Sequence, residues 1–159
     1  MAQVGNLLNR TVTANIAAAD QAAGLAWVAV NLQTPGDKAT YLSGLDGLVR
    51  LSLPAETATI TNIRAQILQG INLLPNVDIN VQLQQGILLW FADTFQPTDR
   101  LLSTRFLTPW ELDKDTRYTI VMFPIFSAAL ASVDAIDLTV LGLYDVSRQS
   151  QQNLYGKPR

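Results

Sequence analysis

Apolar and polar residues alternate at every second position along much of this 159-residue chain, and that period admits few folds. A side-chain period of two belongs to a strand with one wet face. The cleanest run sets Val77, Ile79, Val81 and Leu83 against Asp78, Asn80, Gln82 and Gln84, which predicts a strand over residues 77–84. In that register Val81→Asp drives a charge into the core and unfolds the domain, while Asn80→Asp is nearly silent. Ile136, Leu138, Val140 and Tyr144 form a second series, whose polar side is broken by Leu141 and Leu143, so its second face is covered too. Ile63, Ala65 and Ile67 alternate with Arg64 and Gln66. Tyr118, Ile120 and Met122 oppose Thr119, Val121 and Phe123, as in a strand buried on both sides. Residues 25–32, 48–53, 86–91 and 101–106 are further strand candidates.

Turn residues punctuate these runs at Thr34-Pro35-Gly36-Asp37, from Gly44 to Gly47, at Leu74-Pro75-Asn76, at Gln96-Pro97-Thr98-Asp99 and from Leu112 to Thr116. Strands without amphipathic helices between them give an antiparallel all-β fold, a sandwich or a barrel. Eight such strands fit a single jelly roll best. The domain occupies residues 25–146. Residues 1–24, rich in Ala and Asn, and the polar residues 147–159 read as arms that are ordered only where something holds them. The Ala-rich stretch from Ala14 to Ala23 suits either a short helix or an extended segment along a neighbour. No basic n-region with a clean apolar core opens the chain, so no signal peptide is expected, and Asn9-Arg10-Thr11 is a chance match to a glycosylation acceptor.

The missing chemistry is as informative as the pattern. The chain has no histidine and no cysteine. The commonest general base, the serine and cysteine triads, thiolate nucleophiles and the usual zinc ligands are therefore unavailable, and no enzyme activity or cofactor is expected. Eleven basic residues balance thirteen acidic ones for a net charge of −2, with no basic block, which argues against direct nucleic-acid binding. Charged residues make up 15% of the chain, against about 25% in an ordinary soluble domain. A monomer of this size exposes roughly 7,900 Å². So thin a coat of charge predicts that neighbouring subunits cover part of the surface.

Glu56 and Glu111, the only glutamates, would need to lie about 5–10 Å apart across a cleft to act as a glycosidase pair, and nothing brings them together. Glu56 reads as a loop residue and Glu111 as solvated. Glu111, Asp113 and Asp115 offer oxygen ligands at i, i+2 and i+4. Calcium would also need a turn glycine and an acidic twelfth ligand, so a turn balanced by Lys114 and Arg117 is expected and no metal. Most aromatic residues belong to the core. Trp90 and Phe91 are adjacent, so one of them points away from it, and Trp110 after Pro109 reads as a loop tryptophan at an interface. The expected interface residues are Trp110, Trp90 and Phe95, with Asn80, Gln82 and Gln84 on the wet face of the run at 77–84.

The strands at 63–69 and 77–84, then 118–124, then 135–146, flanked by polar arms, resemble the small single-jelly-roll capsid proteins of tail-less icosahedral phages with an internal membrane, including those infecting thermophiles. The resemblance spans residues 25–146 and rests on architecture and composition. It implies a structural virion protein assembled in the host cytoplasm. It also implies self-association into an icosahedral shell, a second capsid protein as partner, and a face turned toward the membrane. The alternative is a non-catalytic binding module, either a carbohydrate-binding sandwich or a phage decoration or spike domain; the segment from Leu112 to Val121 suits the penultimate strand of such a sandwich.

Overall fold

A computed structural model describes residues 6–94 and 100–144. Among these, eight strands follow one another as β1 (Asn6–Ile16), β2 (Val28–Gln33), β3 (Thr40–Arg50), β4 (Ile60–Gln69), β5 (Ile87–Thr94), β6 (Leu101–Leu112), β7 (Arg117–Phe126) and β8 (Asp134–Tyr144), with two short helices, α1 (Ala18–Ala22) and α2 (Ile79–Gln82). They form two four-stranded sheets, β1-β8-β3-β6 and β2-β7-β4-β5. Every neighbouring pair is antiparallel. Successive strands cross from one sheet to the other except β4 and β5, which pair within one sheet, and this order is the connectivity of a single jelly roll.

The two sheets bury one apolar layer between them. Ile136, Leu138 and Val140 of β8, Leu42, Leu45 and Val49 of β3, Ile120 and Met122 of β7 and Ile63, Ala65 and Ile67 of β4 meet there, all excluded from solvent. Their period of two, which the sequence displays, is what turns one face of each strand inward. A second, smaller apolar cluster lies outside the β2-β7-β4-β5 sheet. Leu68 and Val121 on that face are covered by Leu73, Ile79 and Leu83 from the excursion between β4 and β5.

Three expectations are corrected. Residues 77–84 are not a strand. Asp78 caps α2 by accepting the Asn80 N–H at 2.9 Å. The buried Gln82 amide then closes the loop, accepting from Leu74 N and donating to the Leu74 and Val77 carbonyls. Ile79 and Leu83 are spaced by four, which satisfies a helix as well as a strand, and they point at the sheet while Val81 is 54% exposed. The register that placed Val81 in the core is therefore wrong. Gly44 to Gly47 is not a turn but the middle of β3. A Cβ on Gly47 would fall 1.9 Å from the Met122 sulfur of the opposite sheet, so glycine marks a close approach there. Finally, residues 6–16, read as arm, are β1, held along its length by β8. Arg10 obscures its pattern. It occupies the row of Leu8, Val12 and Ile16 and reaches across the gap between sheets to donate to the Asn31 carbonyl of β2 at 2.7 Å.

Candidate interaction surface

β5 and β6 lie at the same side of the sandwich, and each has one strand neighbour among the described residues, β4 and β3 respectively. Edge strands are usually shortened, charged or covered. Here β6 is the longest described strand, at twelve residues, and carries the exposed Leu101 and Leu107; β5 carries the exposed Ile87, Leu88 and Phe91. Both edge strands therefore present exposed apolar side chains to solvent.

β6 also departs from its ladder. Leu42 of β3 faces Trp110 and Gly44 faces Arg105, so the single Ser43 stands opposite four residues, Phe106 to Pro109. The extra residues bulge outward, and Leu107 at the tip is fully exposed. Pro109 has no N–H to give, so strand addition along this stretch is blocked twice over. The bulge leaves Phe106 and Trp110 facing the core. Phe106 stands edge to face between Trp90 of β5, at 5.5 Å between ring centres, and Trp110, at 6.0 Å. The three rings and Leu89, Leu107 and Pro109 line an open depression of about 590 Å³, with Arg105 and Glu111 also in its lining.

Of the expected interface residues, Trp90 and Trp110 are thus brought together, and Phe106, which is not among them, joins them. Trp110 is in β6 and half-buried; it is not a loop residue. Phe95 lies outside the described residues. Asn80, Gln82 and Gln84 sit elsewhere, in the excursion over the β2-β7-β4-β5 sheet; Gln82 is buried there, and only Asn80 and Gln84 reach solvent.

The carboxylates sort differently from their sequence reading. Glu111 faces Tyr41 near the start of β3 and Glu56 follows its end, so roughly 30 Å of strand separates the two glutamates. Among the described residues no three His, Cys, Asp or Glu side chains converge as metal ligands, and Asp113 and Asp115 lie in the turn after β6. Glu56 is buried, contrary to a plain loop residue, and pairs with Asp134, a neighbour that no spacing in the sequence announces. Glu56 accepts from Ala58 N at 2.7 Å, from Ala131 N and Ser132 N at 3.1 Å, and from Ser132 Oγ at 3.0 Å, while Asp134 accepts from Ser52 N at 2.8 Å. Burial pushes the Glu56 carboxyl up, but the Ala58 N–H, the Asp134 carboxyl and the Ala131 and Ser132 N–H groups outweigh it and hold it at about 2. Asp134 is raised, by burial and by the adjacent Glu56, against the N–H of Ser52. The pair clasps the β3–β4 loop to the β7–β8 loop.

The outer face of the β1-β8-β3-β6 sheet carries charges that are paired within the face, among exposed leucines such as Leu48 and Leu101. Asp46 takes a two-pronged contact from Arg105, at 2.8 and 2.9 Å, and a third bond from Ser103; Asp137 is held by Arg50 and Thr13. The Arg105 contact, opposed by partial burial, lowers the Asp46 pKa. Paired charges of this kind keep a face wet without making it a site. No protein-family model and no curated protein matches this chain, so the reading of its function rests on these surfaces.

Proposed function

We propose that this protein is a non-catalytic structural subunit that self-associates, and that its assembly is a virion shell. The observation that carries self-association is the apolar β5–β6 margin, with Ile87, Leu88, Phe91, Leu101 and Leu107 all exposed beside a cluster of three aromatic rings. Exposed apolar side chains on unpaired edge strands are a common mark of an interaction surface. The thin charge coat supports the same reading, and so does the chemistry of the chain, which has neither histidine nor cysteine to offer a reaction. The shell is the more specific part of the proposal. It draws on the jelly-roll connectivity, which capsid subunits share with lectins and cupins.

The aromatic depression favours one other reading, a sugar-binding module in which rings stack on pyranose faces. Its neighbouring rings stand edge to face, at interplanar angles of 87° and 84°, so they do not form a coplanar platform. Light scattering coupled to size exclusion separates the readings, with electron microscopy of the eluted material. The shell reading expects closed particles or defined oligomers of the 17.4 kDa chain. A monomer at high concentration, together with retention on a glycan array, contradicts it.

A further inference from the structure

The seven residues at the β6 bulge read Arg105-Phe106-Leu107-Thr108-Pro109-Trp110-Glu111. About Thr108 the sequence is self-complementary. One step out on either side is an apolar residue, two steps out an aromatic ring, and three steps out a charge, positive on one side and negative on the other. A two-fold axis through Thr108, running the two segments antiparallel, sets Leu107 against Pro109 and Arg105 against Glu111 of the other copy, each twice, with the inward-facing Phe106 and Trp110 level with one another beneath the contact. A contact that uses the same patch on both molecules must be complementary to itself in this way. We propose that residues 105–111 of β6 meet the same residues of a second copy of this chain in an antiparallel two-fold contact centred on Thr108. The inference rests on the reading of the chain as a self-associating subunit and names the contact that begins the assembly.

Three features of the fold bear on it. The bulge carries Leu107 clear of the sheet, and Thr108 and Pro109 beside it are exposed as well, so the centre of the segment is accessible to another molecule. The depression beside it, lined by Trp90, Phe106 and Trp110, offers the leucine of a second copy an apolar seat. Charge is confined to the ends. Arg105 remains 54% exposed while it holds Asp46, and Glu111 is exposed at the opposite end. A parallel arrangement would instead oppose like charges, Arg105 to Arg105 and Glu111 to Glu111, so the charges select the two-fold. Because the bulge and Pro109 interrupt the backbone ladder, side chains carry the contact, which limits runaway edge-to-edge strand pairing.

The natural chain has no cysteine, which makes a direct test simple. Thr108→Cys places one thiol on the proposed axis, where two copies bring their Cα atoms to within disulfide reach, about 4.4–6.8 Å. Under mild oxidation at low protein concentration, Thr108→Cys should convert to a covalent dimer, while Ala129→Cys, exposed in the β7–β8 loop, should not. Leu107→Asp should weaken self-association by at least about tenfold, read by sedimentation velocity, with an unchanged circular dichroism spectrum. A wild-type chain that associates while Thr108→Cys fails to cross-link and Leu107→Asp has no effect overturns the two-fold contact and leaves the structural reading standing. A wild-type chain that never associates overturns both.

Discussion

Glu56 and Asp134 are two acids with opposite titration behaviour in one buried clasp, and the direction of each fixes the pH dependence. The folded pKa of Glu56, about 2, lies below its ordinary value of 4.5, so its contribution is present above 4.5 and is lost as the pH falls toward 2. Asp134 is raised above 3.8, so its contribution is complete below that value and drains away as the pH rises through its folded pKa. Asp134→Asn keeps an acceptor for the Ser52 N–H and gives Glu56 a permanent donor. Thermal melts at a series of pH values should show the Asp134→Asn midpoint rising relative to wild type as the pH increases from about 4 to 8. Glu56→Gln should lower the midpoint throughout that range, because an amide nitrogen would then face donors from Ala58, Ala131 and Ser132. Parallel curves for Asp134→Asn and wild type would mean that the Asp134 carboxyl is not raised in the fold.

At the scale of elements, the pattern of the chain and its fold agree where one face of a strand meets the main core. β4, β7 and β8 are legible for that reason: Ile63–Ala65–Ile67, Tyr118–Ile120–Met122 and Ile136–Leu138–Val140 all point inward. The run at 77–84 has the cleanest alternation of all and is helical from Ile79 onward, because Ile79 and Leu83 serve either period and local bonds from Asp78 and Gln82 decide. Val81→Asp should therefore change stability by less than about 0.5 kcal/mol, measured by urea denaturation; a loss of several kcal/mol would restore the strand register. β1 was hidden by Arg10 in its inward row, and the glycines of β3 imitated a turn. Gly142 of β8 is a further place where a strand tolerates no side chain, since a Cβ would lie 2.1 Å from the Tyr41 carbonyl oxygen of β3. Gly142→Ala should cost roughly 1–3 kcal/mol, because backbone rather than a side-chain tip must move. The candidate surface was legible as residue types, Trp90 and Trp110, but not as a place. The four-residue bulge that gathers Phe106 and Trp110 and exposes Leu107 depends on pairing with Ser43, more than sixty positions earlier, which no local pattern encodes.

For the whole molecule, the jelly roll distributes its surfaces unequally. One sheet face carries paired charges, the other is half covered by the excursion carrying α2, and the β5–β6 side sets exposed apolar residues beside a cluster of three aromatic rings. That inequality makes association through a defined side the expectation, in place of indiscriminate clumping. Phe91→Asp and Leu88→Asp, at exposed positions of β5, should both improve solubility without unfolding the domain, as a charge on an exposed apolar edge does. Centrifugal solubility assays paired with circular dichroism would detect the contrary, a loss of fold at either position. The central claim, that this margin is covered by other copies of the chain, is tested most directly by sedimentation velocity of the wild-type protein over a wide range of concentration. Self-association gives a weight-average mass that climbs with concentration above 17.4 kDa, and a single 17.4 kDa species at every concentration would contradict it.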